Sequence, residues 1–370
     1  MGLINLLAQL RKSKSSPRES SSPVTATPED VTSVISRKAV MAGISSPRKT
    51  PQEDAEDQGH WWCFAGHPNF DPTYENLPYD RVTVDQAILH LNRKIAAGEL
   101  PVFSIPNQIL EVFRLLDGPD FEYREITAII EKNPSLAAMF IASINSSLFN
   151  RGFSITELYP ALLRLGKNNI RALLQIYAIK ISFASDRRFG EIARQIIRHS
   201  YATAIIASFL TQRYFPEPGL AFLAGLLHDI GKLAILKELS LDPRFCLRLK
   251  ENATESMFNP IFAERHEKIG LELGREWHMD ELTLTAIARH HRFWEYDFAE
   301  EDQLDYHLCL LINLSDTIAR ILGYGRPIGK TNLFLEPAVV DLNIEKNLGT
   351  IDFLADLPEL VNTKVAGAML

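Results

Sequence analysis

The sequence predicts an all-α protein, a bundle of consecutive helices around a common core, and three observations carry that prediction. From residue 101 onward, apolar residues recur at helical spacing almost throughout. No alternating apolar–polar stretch of any length competes with that pattern. Gly and Pro supply breaks between the periodic segments, as at Asp117-Gly118-Pro119, Asn133-Pro134 and Glu217-Pro218-Gly219. The 370 residues are 46% hydrophobic and 23% charged, so there is enough apolar material for a sizeable core.

The elements follow in chain order. Leu3, Ile4, Leu6, Leu7 and Leu10 could line one face of a short helix, or belong to a frayed terminus. Residues 13–50 are dominated by Ser, Pro, Thr and basic residues. Such a segment buries too little apolar surface to offset its ordering entropy, and 1–60 is expected to be a disordered tail. An acidic run, Glu53, Asp54, Glu56 and Asp57, ends it. Trp61, Trp62 and Phe64 then open an arm, 61–100, whose one helix spans Val84 to Ala97. Ile109, Val112, Phe113 and Leu116 mark the next helix, followed by Ile126, Ile129 and Ile130, and by Leu136, Phe140 and Ile144. Ile170, Leu173, Leu174, Tyr177 and Ile181 mark another, and Ile192, Ile196, Thr203, Ile206 and Leu210 a long one. Further helices fit near 219–229, 259–274, 281–291 and 304–322, and 326–370 remains as a C-terminal extension.

Charge and cysteine content exclude several function classes. The formal net charge of −7 points to neither nucleic acid nor an anionic membrane. Cys63, Cys246 and Cys309 are odd in number and far apart, with no disulfide framework or zinc spacing. A reducing cytosol is the expected compartment. The apolar run Leu220 to Leu227 is far short of a membrane span. The N-terminus lacks the basic region of a secretory signal, and Leu6 does not fit a myristoylation site.

Ionisable residues on apolar stripes are the chemical signal. His199 lies on the stripe of Ile192, Ile196, Thr203 and Ile206. His228 and Asp229 close the run Leu220 to Leu227. Asp316 lies on the stripe of Leu308, Ile312 and Ala319. An unpaired buried carboxylate costs several kcal/mol or shifts its pKa strongly. A divalent metal such as Fe or Mn would partner all four residues as a mixed N/O site. Alternatively, the four hydrogen-bond one another and hold the bundle together. His266, His290 and His291 are possible additions to the set. The His290-His291 pair ends a predicted helix, where a cation would also meet the negative end of the dipole. Lys232, one turn after His228, could contact a phosphate or be a solvated helix end.

These residues sit in recognisable motifs. GLAFLAGLLHDIGK at 219–232 resembles the helix that names the HD superfamily of metal-dependent phosphohydrolases. His199 in RHSYATA resembles its first histidine, and Asp316 in NLSDTIAR its final aspartate. The stretches SIPNQILEVFRLLDGPD, ITAIIEKNPSLAAMFIASINSSLF and ITELYPALLRLG resemble the N-terminal half of the narrower HDOD family (HD-related output domain). ERHEKIGLELGREW and AIARHHRF resemble its later His-containing helices. The resemblance covers roughly 101–325, with an N-terminal helical half at 101–185 and an HD-like half at 186–325. It implies a bacterial, cytoplasmic signal-transduction output module that acts through binding a protein partner or a ligand such as a nucleotide and has lost hydrolase activity. The superfamily implies the alternative, a metal-dependent phosphohydrolase acting on a nucleotide or other phosphate ester. Carried over residue by residue, the metal set is His199, His228, Asp229 and Asp316. The related cyclic-di-GMP phosphodiesterases follow their double histidine with a D-G-x-G-Y-P run. Here it continues HHRFWEYD, and Gly323-Tyr324-Gly325 falls elsewhere, which argues against cyclic-di-GMP hydrolysis.

Composition alone generates one prediction. Deleting residues 13–50 should leave the melting temperature unchanged. Slow amide hydrogen exchange across that segment would contradict it.

Overall fold

A computed structural model describes residues 59–66, 81–99, 103, 105–118, 121–145, 155–184, 186, 189–243, 258–295 and 303–368. The stripe at Leu3–Leu10, the Ser/Pro-rich segment 13–50 and the acidic run at 53–57 lie outside the described residues. The helices, in order, are α1 (Arg81–Ala97), α2 (Asn107–Asp117), α3 (Tyr123–Ile130), α4 (Pro134–Ile144), α5 (Leu158–Ser182), α6 (Gly190–Tyr214) and α7 (Pro218–Leu227). They continue with α8 (Ile230–Leu241), α9 (Asn259–Glu276), α10 (Glu281–Arg289), α11 (Gln303–Ile321), α12 (Pro337–Asp341), α13 (Leu348–Ala355) and α14 (Leu357–Ala368). The only strands among the described residues are two-residue segments, β1 (Cys63–Phe64) and β2 (Thr331–Asn332), paired antiparallel. The fold is all-α, as the periodicity predicts.

Local sequence explains where the helices start and bend. Asn133 caps α4: its side chain accepts from Leu136 N at 3.1 Å, with Pro134 at the first helical position. Asp280 caps α10 in the same way, accepting from Thr283 N at 3.0 Å. In α5 the Leu-Arg-Leu-Gly turn kinks the helix at Gly166, whose φ of 76° is readily adopted by glycine.

Two apolar clusters fill the interior. One joins α1–α5 to α6–α10, with Phe140, Leu162, Ile196, Phe222, Leu236 and Phe258 among its buried members. The other lies between α6, α11 and the C-terminal extension. Trp62 is buried in this second cluster, and its carbonyl accepts from Leu333 N at 2.9 Å. The arm and the C-terminal extension, which the sequence keeps at opposite ends, therefore meet. The extension contains α12–α14 and packs on both halves: α14 lies against α6 and α4, and Lys364 Nζ donates to Asn145 O.

The segment Pro218–Leu241 is long and apolar enough to cross a membrane by length and composition, but 83% of its apolar window is buried inside the fold. On the N-terminal half, Arg114 and Lys132 are exposed. Lys167 is half-buried, with its ammonium 5.7 Å from the centre of the Phe121 ring.

Glycines permit two close helix approaches beside the HD dipeptide. A Cβ on Gly225 would lie 2.7 Å from Ala204 Cα of α6, and one on Gly231 would lie 1.9 Å from His266 O of α9. These glycines bracket His228-Asp229 and let the turn between α7 and α8 press against both neighbours. Gly231→Ala should therefore destabilise the protein by roughly 3 kcal/mol or more, because backbone must move to admit one methyl group. Chemical denaturation measures this, and a change within about 0.5 kcal/mol would contradict the packing described.

Candidate metal centre

The structure brings seven of the sequence-predicted residues together. His199 comes from α6, His228 and Asp229 from the turn joining α7 to α8, His266 from α9, and Asp316 from α11. His290 ends α10 and His291 follows it. All but His291 are buried to 3% exposure or less. The ligand-type atoms of Asp229, His266, His290 and His291 all lie within 4.8 Å of one another, as do those of His199, His228 and Asp229. Asp316 joins through His199, whose Nε2 is 3.0 Å from Asp316 Oδ1.

Asp229 is common to both groups and divides its oxygens between them. Oδ2 is 3.4 Å from His199 Nε2 and 3.3 Å from His228 Nε2. Oδ1 is 3.6 Å from His266 Nε2 and 3.9 Å from His290 Nε2. Asp229 precedes α8 at the position where an aspartate ordinarily caps the helix, yet it makes no side-chain cap bond. The carboxylate is committed to the cluster.

The protons on the histidines follow from their other partners. Nδ1 of His228 faces Gly225 O at 2.8 Å, and Nδ1 of His266 faces Phe262 O at 2.6 Å. Nδ1 of His290 faces Ala286 O and Ile287 O, each at 3.1 Å, and Nδ1 of His199 faces Tyr324 O at 3.2 Å. A carbonyl only accepts, so each Nδ1 is placed to carry a hydrogen, and in neutral His266 and His290 Nε2 then keeps a lone pair, whereas Nε2 of His199 and of His228 also faces carboxylate oxygen and without metal would share a proton with it. The Nε2 atoms then face one another, His199 to His228 at 3.2 Å and His266 to His290 at 3.4 Å.

Electrostatics makes that arrangement incomplete. Burial pushes His266 down to about 3, and burial with the neighbouring His291, His228 and His266 pushes His290 well below its ordinary value. Both rings are neutral near pH 7, so neither supplies a proton between their Nε2 atoms. Asp229 Oδ1, which they face, is buried without a hydrogen-bond partner. A buried polar atom with no partner is costly. Three lone-pair atoms converging on one point favour a positive charge there, and the mixed N/O donor set could hold a divalent transition metal. Around Asp229 Oδ2, burial opposes charge on both residues. Asp229 nonetheless raises His228, while His228 and Lys232 hold Asp229 well below the usual carboxylate range. Asp316 is also held low against burial, by His199 and Arg320.

Two expectations are corrected. His290 and His291 are not cations at a helix end, because burial lowers both, His291 to about 4. Lys232 is not a solvated helix end: its Nζ donates to Asp229 Oδ2 at 2.6 Å, and its side chain is 14% exposed.

Supporting residues escaped sequence reasoning. Glu267 is buried, accepts from His291 N at 3.3 Å and receives two bonds from Arg292 at 2.6 and 3.0 Å. Asn313 donates to His290 O at 2.8 Å. Together they hold the His290-His291 turn. The one available signal was Glu267 beside His266, a carboxylate adjoining an apolar stripe.

A bundle of this kind, with an HD dipeptide at its buried centre, defines an HD-type helical protein. The HDOD domain profile matches residues 102–293, and the chain belongs to the HDOD family. Asp316 lies beyond the matched span. Among solved structures, an HDOD domain protein of unknown function from Geobacter sulfurreducens is 22% identical. It has a TM-score of 0.51 over 77% of this chain and 98% of its own. A protein from Shewanella amazonensis SB2B, whose name proposes a metal-dependent phosphohydrolase, is 20% identical. Its TM-score is 0.58 over 77% of this chain and 99% of its own. These likenesses establish the fold. An uncharacterized protein of Treponema pallidum (strain Nichols) is 24% identical over 196 residues, and Ribonuclease Y of Clostridium novyi (strain NT) is 27% identical over 126. The matches span 37% and 19% of those two proteins.

The lowered histidines generate a pH prediction. Folded His266 stays neutral down to about pH 3, whereas an unfolded histidine takes its proton near pH 6.5. Between those values the unfolded chain binds more protons, so stability falls as pH falls. The slope from His266 is up to about 1.4 kcal/mol per pH unit. His290 adds in the same direction. His291 adds less, because a third of its side chain meets solvent, which screens the effect. The metal-free protein should melt at progressively lower temperature from pH 6 to pH 4.5, and His266→Gln should flatten the slope. An equally steep slope in that variant would contradict the assignment.

Proposed function

We propose that the protein is a signal-transduction output module that holds divalent metal at its HD centre and acts by contact with a protein partner. Asp229, His266, His290 and His291 would hold one ion. His199, His228 and Asp229, with Asp316 beside them, would hold a second, and Fe or Mn suits such donors. The observation that carries this is the closed set of donors: six of the seven residues are nearly inaccessible, and the four histidines among them face backbone carbonyls with Nδ1. Closed centres of this kind hold a structure, whereas catalytic centres keep a position open. Exposed basic residues on the N-terminal half, Arg114 on α2 and Lys132 in the turn between α3 and α4, lie on segments that contribute nothing to the centre and are candidate contact positions.

One observation favours a second reading, hydrolysis of a phosphate ester such as a nucleotide. His291 meets solvent. Lys232 and Arg320, 14% and 21% exposed at their side chains, each lie beside a candidate ligand carboxylate, Arg320 Nη1 at 3.7 Å from Asp316 Oδ2. Two cations beside an acidic centre suit a phosphate. A bound metal would supply an activated water there. Lys232 and Arg320 would hold and orient the ester. The names of the Shewanella protein and of Ribonuclease Y agree with phosphate-ester chemistry in relatives, not with a particular substrate here.

The test combines metal analysis with turnover of bis(4-nitrophenyl) phosphate. The wild-type protein should carry one to two equivalents of metal, Asp229→Ala should lose essentially all of it, and turnover should stay at background. Protein with no metal above background would contradict the metal centre. Turnover that falls in Lys232→Met at unchanged metal content would establish the hydrolase reading instead.

A further inference from the structure

The sequence Gly323-Tyr324-Gly325, out of place for a phosphodiesterase motif, lies directly on His199. It begins as the C-terminal cap of α11. Gly323 has a φ of 85°, its N donates to Arg320 O at 3.1 Å, and Tyr324 N donates to Ala319 O at 2.9 Å. This pair of bonds is a Schellman cap, which turns the chain back across the helix end. The turn delivers Tyr324 O to His199 Nδ1 at 3.2 Å. Gly325 follows with a φ of 89°, so close to the imidazole that a Cβ would stand 2.7 Å from Nδ1 and 3.0 Å from Cγ. Only glycine fits between the turn and that ring.

Helix α11 thus addresses both nitrogens of one histidine. Asp316, within the helix, is 3.0 Å from Nε2, and the cap of the same helix holds Nδ1. The turn is itself anchored. The Tyr324 ring is 9% exposed in the second apolar cluster, Tyr324 Oη donates to Asn362 Oδ1 of α14 at 2.8 Å, and the Arg198 guanidinium lies 5.7 Å from its ring centre.

We propose that the Tyr324–Gly325 segment at the end of this turn, braced by the C-terminal extension, is the positioning element of His199. It fixes the ring with hydrogen on Nδ1, which leaves Nε2, turned toward Asp229 and Asp316, for the metal. Tyr324 and Gly325 are positioning residues and touch no ion. Partners of this kind orient metal-ligating histidines, and losing one typically weakens binding by about tenfold to a hundredfold. The inference rests on the metal centre proposed above.

The test is a matched pair of variants in the full-length protein, titrated with Mn2+ alone. Gly323→Ala and Gly325→Ala both place alanine at a positive φ, but a Cβ at 323 meets nothing within 4 Å whereas one at 325 meets His199. Gly323→Ala should bind Mn2+ within about twofold of wild type despite any loss of melting temperature. Gly325→Ala should weaken binding at least about tenfold at the His199 group. Equal weakening in both variants, or none in Gly325→Ala, overturns the proposal. Because Gly325→Ala could fail to fold, 15N NMR of histidine-labelled, metal-free wild type gives an independent reading. His199 should carry its hydrogen on Nδ1, and hydrogen on Nε2 alone overturns the proposal. Wild type that takes up no Mn2+ defeats the metal centre itself and this inference with it. Wild type that binds while Gly325→Ala binds equally defeats only the role of the turn.

Discussion

Asp229 places a carboxylate in the apolar centre of the bundle, 1% exposed, with one oxygen lacking any hydrogen-bond partner. Such a group is tolerated only where positive charge compensates it. Much of the surrounding architecture serves that requirement. Lys232 neutralises one oxygen from the first turn of α8. Four imidazoles surround both oxygens, with their Nδ1 hydrogens tied to backbone carbonyls. The cap interaction that Asp229 would otherwise make at the start of α8 is given up.

Helix packing is arranged around the same point. Gly225 lets α7 approach α6, which brings His228 against His199. Gly231 lets α8 approach α9, which brings Asp229 against His266. A short glycine–histidine–aspartate–glycine stretch thus sets two close helix contacts and the candidate centre's shared carboxylate together. Changes to this stretch act on folding and on the centre at once, which makes the two hard to separate by substitution there.

The ends of the described chain also bear on the centre. The arm at Trp62 and the extension from Arg326 onward share one apolar cluster, and the turn entering that extension lies on His199. The extension also reaches the N-terminal half through Lys364 and Asn145. A continuous packed route therefore runs from His199 to the half proposed to meet a partner.

Helical periodicity, a property of consecutive residues, was sufficient for the all-α class and for most helices from α2 to α11. The apolar stripes were likewise enough to single out His199, His228, Asp229 and Asp316, because a charged residue at a buried spacing is visible within a single helix. Other features depend on chain segments far apart in sequence, and only the tertiary structure decided them. Periodicity left 326–370 unassigned, although α12–α14 and β2 lie there, where packing on α6, α11 and Trp62 stabilises them. The sharing of Asp229 between two histidine groups depends on which of its oxygens faces which helix. The neutrality of His290 and His291, against the dipole argument, comes from burial by neighbours on other elements. The position of Gly325 on His199 joins residues 126 apart in the chain. Spacing along one helix reports which side chains turn inward, whereas their partners there are set by how the helices pack.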